Sequence, residues 1–74
     1  MQEEIESRLN QELTPITLEL VMNGNHCDIK IISDRFAGLS KVKRQQLVYA
    51  CLNDKIATGE IHAVNIDAQS PDEL

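Results

Sequence analysis

Chemistry in this sequence would have to pass through very few side chains: two histidines, two cysteines and a short group of cations. His62 stands near the start of a run, Ile61 to Asp67, whose alternation reads as a β-strand with His62, Val64 and Ile66 on one face. On that apolar side an imidazole is either packed and hydrogen-bonded or a metal ligand near a sheet edge, and spacing alone does not choose. His26 falls at the mouth of a hairpin and points to its polar side, where the ordinary reading is a solvated ring. Cys27 follows it directly. Adjacent strand residues point to opposite faces, so a His26–Cys27 metal chelate, the lesser candidate, needs an irregular hairpin end. Cys51 belongs to a helical apolar stripe and reads as core.

The cations form a second candidate site. Lys41, Lys43 and Arg44 crowd the first turns of a helix, where each opposes the macrodipole at a cost of about 0.3 to 1 kcal/mol when exposed. Taken singly, each belongs to a solvated face. As a cluster beside free helix N–H groups, with Arg35 close in sequence, they make a local anion site for a phosphate, a carboxylate or an acidic protein surface. A formal net charge of -5 argues against general attraction to nucleic acid or to an anionic membrane, so any DNA contact would be local and weak. There is no motif-supported Ser-His-Asp grouping, no phosphate-cradling glycine loop and no spaced carboxylate pair. The chain reads as a binding module and not an enzyme.

The elements that must position these groups are legible from periodicity. Ile5, Leu9 and Leu13 give a short helix one apolar stripe, and Thr14-Pro15 should end it, because a residue before proline is pushed out of the right-handed helical region. Ile16 to Met22 and His26 to Ser33 read as two strands around a type I′ turn at Asn23-Gly24. That turn pairs Leu20 with Cys27, Leu18 with Ile29 and Ile16 with Ile31. Ser40 caps one long helix running to about Thr58, with Val48, Cys51, Leu52 and Ile56 as its stripe and Gly59 as its left-handed C-cap. The third strand follows, then a capped helix start at Ser70-Pro71-Asp72-Glu73. The expected fold is α+β: a three-stranded mixed sheet with helices on one face, in α-β-β-α-β order. With 74 residues and no linker or repeat, 1–74 is one domain. The acidic N-terminus resembles no signal or transit peptide, and no stretch approaches the roughly 20 apolar residues of a membrane span. The expected location is cytoplasmic, with both cysteines as thiols.

The run Ile32-Ser33-Asp34-Arg35-Phe36-Ala37-Gly38-Leu39-Ser40, followed by Val42-Lys43-Arg44-Gln45-Gln46-Leu47-Val48-Tyr49, resembles the signature of the BolA family. Ile61-His62-Ala63-Val64 and Ser70-Pro71-Asp72-Glu73 match its later landmarks in order, and the Val42 to Gln46 stretch is similar to the subgroup called IbaG or YrbA. The resemblance implies a fold like the type II KH domain. It also implies a partner, since BolA-like proteins associate with monothiol glutaredoxins and the pair, with glutathione, can share a 2Fe-2S cluster in iron homeostasis and stress response. On the same basis His62 matches the family's near-invariant cluster histidine, and His26 matches the histidine-or-cysteine position of the hairpin loop, the usual second ligand. Two imidazoles can serve one iron while thiolates from glutaredoxin and glutathione serve the other; alone, as monomer or homodimer, this chain has too few ligands. The alternative implied role is a DNA-binding regulator of stress and cell-envelope genes, resting on Arg35, Lys41, Lys43 and Arg44. Three departures stand out: Gln45 follows Arg44 where a histidine is common, Leu74 stands where a tryptophan is usual, and the glycine-rich RNA loop of KH domains is missing.

Overall fold

Ile5, Leu9 and Leu13 form the buried stripe of the first helix, α1 (Gln2–Leu13), in the computed structural model of the chain, which describes residues 1–73. Leu74, at the position of the usual tryptophan, lies outside the described residues. The helix ends at Thr14 as the following proline requires. Thr14 takes the left-handed region, φ 39° and ψ 58°, in place of the extended one, while its N–H still closes on the Asn10 carbonyl at 3.1 Å.

The hairpin corrects the expected register. Strands β1 (Thr17–Asn23) and β2 (His26–Ile32) pair Leu18 with Ile31, Leu20 with Ile29 and Met22 with Cys27, and Asn23 itself pairs with His26. The turn is therefore Gly24-Asn25, not Asn23-Gly24. Gly24 has φ 65° and Asn25 is not among the positive-φ residues, the sign pattern of a type II′ turn and not type I′. A slip of two residues leaves every side chain on its expected face, because the strand period is two, so the apolar pattern cannot detect it.

From β2 the chain passes a 3₁₀ turn (Asp34–Phe36) and returns through two helices, α2 (Lys41–Ala50) and α3 (Asn53–Ala57), to β3 (Ala63–Gln69). This last strand lies parallel to β2, giving a mixed sheet of order β1-β2-β3. Parallel neighbours need a long crossover, and the helical segment supplies it. α1 packs on β1 and α2 on β3, over a core in which Phe36, Ile31, Leu52, Val48 and Cys27 are fully buried.

The single helix expected from Ser40 to Thr58 is two helices. Ser40 does cap the first, its Oγ accepting the Lys43 N–H at 3.2 Å. At the break, the N–H groups of Cys51 and Leu52 bond three residues back, to Val48 at 3.0 Å and Tyr49 at 2.8 Å. This tighter winding keeps Cys51 and Leu52 in the core but shifts the phase beyond them, leaving Ile56, expected in the stripe, 37% exposed. Gly59, at φ 81°, ends α3 as foreseen. The last strand opens later than expected: Ile61 plugs the core at 1% exposure, and His62 precedes the strand. After β3, a single 3₁₀ turn (Pro71–Glu73) takes the place of an α-helix start, with Glu73 Oε1 accepting the Ser70 N–H at 2.7 Å as a capping box would.

Ser33 is the polar residue around which these ends meet. Fully buried, its hydroxyl donates to the Leu13 carbonyl at 2.5 Å and accepts the Arg35 N–H at 3.1 Å, while its own N–H donates to the Gln69 carbonyl at 3.0 Å. It ties the end of α1, the end of β3 and the first 3₁₀ turn together. Ser33→Ala leaves the Leu13 carbonyl without its partner, at an expected cost of about 1 to 3 kcal/mol. Calorimetry should show a fall in Tm of roughly 4 °C or more, given about 4 to 8 °C per kcal/mol in a domain of this size; an unchanged Tm would show that this junction holds nothing.

Candidate functional site

The two histidines meet at one end of the sheet through the hairpin turn. The Asn25 carbonyl accepts the His62 N–H at 2.8 Å and the Ala63 N–H at 3.4 Å, and His26 stands in register with Ala63 on the neighbouring strand. Both imidazoles belong to exposed residues. His62 does not lie on the apolar face, as alternation suggested. Because Ile61 is the residue that enters the core and β3 begins only at Ala63, the alternation has not started at position 62. Its Nε2 lies beside Gly59, 3.5 Å from where a Cβ would stand, so the ring rests between the end of α3 and the hairpin tip.

Cys27 is removed as a ligand by the same geometry. β2 is regular from His26 onward, so Cys27 points away from its neighbour and is wholly buried. Burial, and next the charge of Asp28, push its thiol above the ordinary value, which keeps it protonated. Cys51 is likewise buried and its thiol likewise raised, first by burial. Among the described residues no group of three histidine, cysteine, aspartate or glutamate side chains could hold a metal ion. What this end offers is a pair of exposed imidazoles placed by the hairpin turn and the start of β3.

The four cations do not form one free patch. Arg35, Lys41 and Lys43 are exposed, and none is in an ion pair among the described residues. Arg44 is committed within the fold: its side chain is 12% exposed, its Nε donates to the Leu39 carbonyl at 3.0 Å, and its Nη1 donates to the Ala68 carbonyl at 3.2 Å and to Glu73 Oε1. Its guanidinium already has a carboxylate, so the anion surface at the start of α2 reduces to Lys41 and Lys43, with Arg35 on the neighbouring 3₁₀ turn.

Two contributors escaped the sequence reading. Asn25 anchors His62, a role that a turn at Asn23-Gly24 does not give it. The Ser70-x-x-Glu73 cap was visible, but its long-range partner Arg44 was not, since no local pattern links residues so far apart. A third network, Arg8 with Asp54 and Lys55 with Glu4 and Glu60, ties α1 to α3.

The family model described as BolA-like protein matches residues 6–73 of the chain. The acid stress protein IbaG of Escherichia coli strain K12 is 39% identical over 70 residues, covering 95% of this chain and 83% of that protein. A BolA-like protein of Dictyostelium discoideum is 32% identical over 81 residues, covering 96% of this chain and 71% of that one. Among solved structures, the BolA domain of SufE1 from Arabidopsis thaliana superposes with a TM-score of 0.91 at 35% identity, over 97% of this chain and 93% of that one. BolA1 from the same plant gives 0.89 at 32% identity over the same shares.

The Arg44–Glu73 contact gives this region a pH signature. Glu73 is held down to about 2 from an ordinary 4.5, first by Arg44 and then by the Ser70 N–H and hydroxyl. A carboxyl lowered in the folded state stabilises above its unfolded value and loses that contribution as pH falls through its folded one. The window is therefore from about 4.5 down to about 2. In acid titrations followed by circular dichroism, Glu73→Gln should be less stable than wild type at neutral pH and converge with it across that window. A gap that stays constant down to the acid limit would dismiss the charge contribution.

Proposed function

The chain belongs to the BolA-like protein family, and on that premise we propose that it is an adaptor which docks on a monothiol glutaredoxin carrying glutathione and contributes His62, with His26, to a shared 2Fe-2S cluster. The observation that carries this reading is the position of His62: exposed, outside the strand, and fixed by the Asn25 carbonyl to the hairpin tip where His26 also stands. Such a pair fits two of a cluster's four protein-side positions, and imidazole ligation of one iron raises the potential of the cluster relative to all-thiolate ligation. The residues left over argue the same way. Both thiols are buried and no ligand triad exists among the described residues, so in this reading the thiolates are the partner's.

In this reading the chain's own task is positional. The Asn25 carbonyl holds the backbone of position 62 where β3 meets β2, and the ring rests beside Gly59. The acid stress description of the Escherichia coli relative supports placing the adaptor in a stress response. No helix among the described residues is long and apolar enough to cross a membrane. The test is reconstitution with a monothiol glutaredoxin, glutathione, iron and sulfide under anaerobic conditions. His62→Ala, at an exposed position, should fold normally by circular dichroism yet change the visible absorption and circular dichroism of the mixed complex, with a smaller change for His26→Ala. An unchanged spectrum for His62→Ala rejects the ligand assignment.

A second reading, local DNA contact, is favoured by the exposure of Arg35, Lys41 and Lys43 alone. If it holds, binding to a DNA duplex weakens steeply with salt, and replacing Lys41 and Lys43 together lowers the slope by about 2, near 0.9 per phosphate contact. No detectable binding at low salt removes it.

A further inference from the structure

An edge strand presents backbone groups that lack a partner, and β3 is an edge of this sheet. Its ladder is fixed at both ends: the Ala63 N–H reaches the Asn25 carbonyl at 3.4 Å, and the Gln69 carbonyl accepts the Ser33 N–H at 3.0 Å. The odd-numbered residues of β3 therefore turn N–H and C=O toward β2, and Val64, Ile66 and Ala68 turn theirs outward. The Ala68 carbonyl is taken by Arg44. Among the described residues no hydrogen bond reaches the outer groups of Val64 and Ile66. On the opposite edge, by contrast, Gln2 Nε2 already donates to the Leu20 carbonyl in the middle of β1, at 3.1 Å.

A cleft of about 490 Å³ runs beside this open stretch. Its helix side is formed by Lys41, Gln45 and Tyr49 of α2 above Val64 and Ile66, and Tyr49 is 37% exposed there. On the uncovered sheet face the same cleft meets the carboxylates of Glu19, Asp28 and Asp67 against the single cation Lys30.

We propose that β3 accepts an extended peptide segment of a partner protein as a fourth strand, hydrogen-bonded to Val64 and Ile66 and stopped at Ala68 by Arg44. The two unpaired residues specify an extended backbone, because only a strand matches outward N–H and C=O groups at alternate positions. Val64, Ile66 and Tyr49 specify apolar side chains where the incoming strand faces α2. The excess of carboxylate on the open face specifies a basic side chain between them. The occupant is therefore an apolar–basic–apolar segment. A second copy fits poorly: its own β3 carries Asn65 and Asp67 at the alternating positions, which would set carboxylate against carboxylate. Nucleic acid is opposed by the net charge of -5.

The test uses the full chain, labelled with nitrogen-15, and short capped peptides of alternating valine and lysine. The alternating peptide should shift the Val64 and Ile66 amide protons downfield and slow their exchange with solvent. N-methylating its backbone on the side facing β3, which removes donors and keeps every side chain, should weaken binding about tenfold or more, as loss of hydrogen bonds worth about 1.4 kcal/mol requires. Ile66→Pro removes an outward N–H at a place where an edge strand tolerates proline, and should weaken binding similarly with the β2–β3 ladder kept. The proposal is overturned if the N-methylated peptide binds equally well, or if the shifts map away from β3. It is also overturned if single-stranded DNA protects these amides better than any peptide, or if the protein pairs with itself there in the absence of peptide.

Discussion

The arrangement at the hairpin end of this molecule depends on one pairing, the parallel run of β3 beside β2. A parallel neighbour cannot be reached by a tight turn, so the chain must climb over the sheet through α2 and α3 and come back to the end where β2 began. That end is the hairpin tip. The consequence is that residue 62, thirty-six positions from His26 in the chain, arrives next to it, held by a carbonyl of the turn itself. An antiparallel return would have carried His62 to the far end of the sheet and separated the two rings.

The two ends of β3 are secured by different means. At its start the anchor is backbone, the Asn25 carbonyl receiving two consecutive N–H groups. At its close the anchor is side chain: Ser33 bonded to Gln69 and Leu13, and Arg44 reaching from α2 to Ala68 and Glu73. The charged contact at the close is sensitive to acid, whereas the backbone contact at the start is not. Between them lies the short length whose outer groups are unsatisfied, bounded by the Arg44 contact on one side.

Much of this was legible in the sequence because it depends on period and composition. The order of elements, the faces of β1 and β2, the caps at Ser40 and Gly59 and the buried stripe of α1 all follow from local pattern. What was not legible depended on register or on distance. Asn23-Gly24 and Gly24-Asn25 both make acceptable two-residue turns, and a slip of two keeps all faces, so nothing local separates them. The helix break after Ala50 leaves Val48, Cys51 and Leu52 in the stripe and turns only Ile56 out of it, and no glycine or proline marks the place. The exposure of His62 turned on a single residue: whether Ile61 belonged to the strand or to the plug before it. The family signature was readable throughout, and it named the histidines without revealing how they come together.

The burial of both cysteines has a consequence for the donors this surface presents. Copper(I) and other thiophilic ions bind first where thiolate is offered, and here the thiols are withdrawn beneath the helices and kept protonated. Near the hairpin the exposed donors among the described residues are imidazole nitrogen and oxygen, with the softer thioether of Met22 partly buried. Access of a thiophilic ion to either cysteine therefore requires the fold to open.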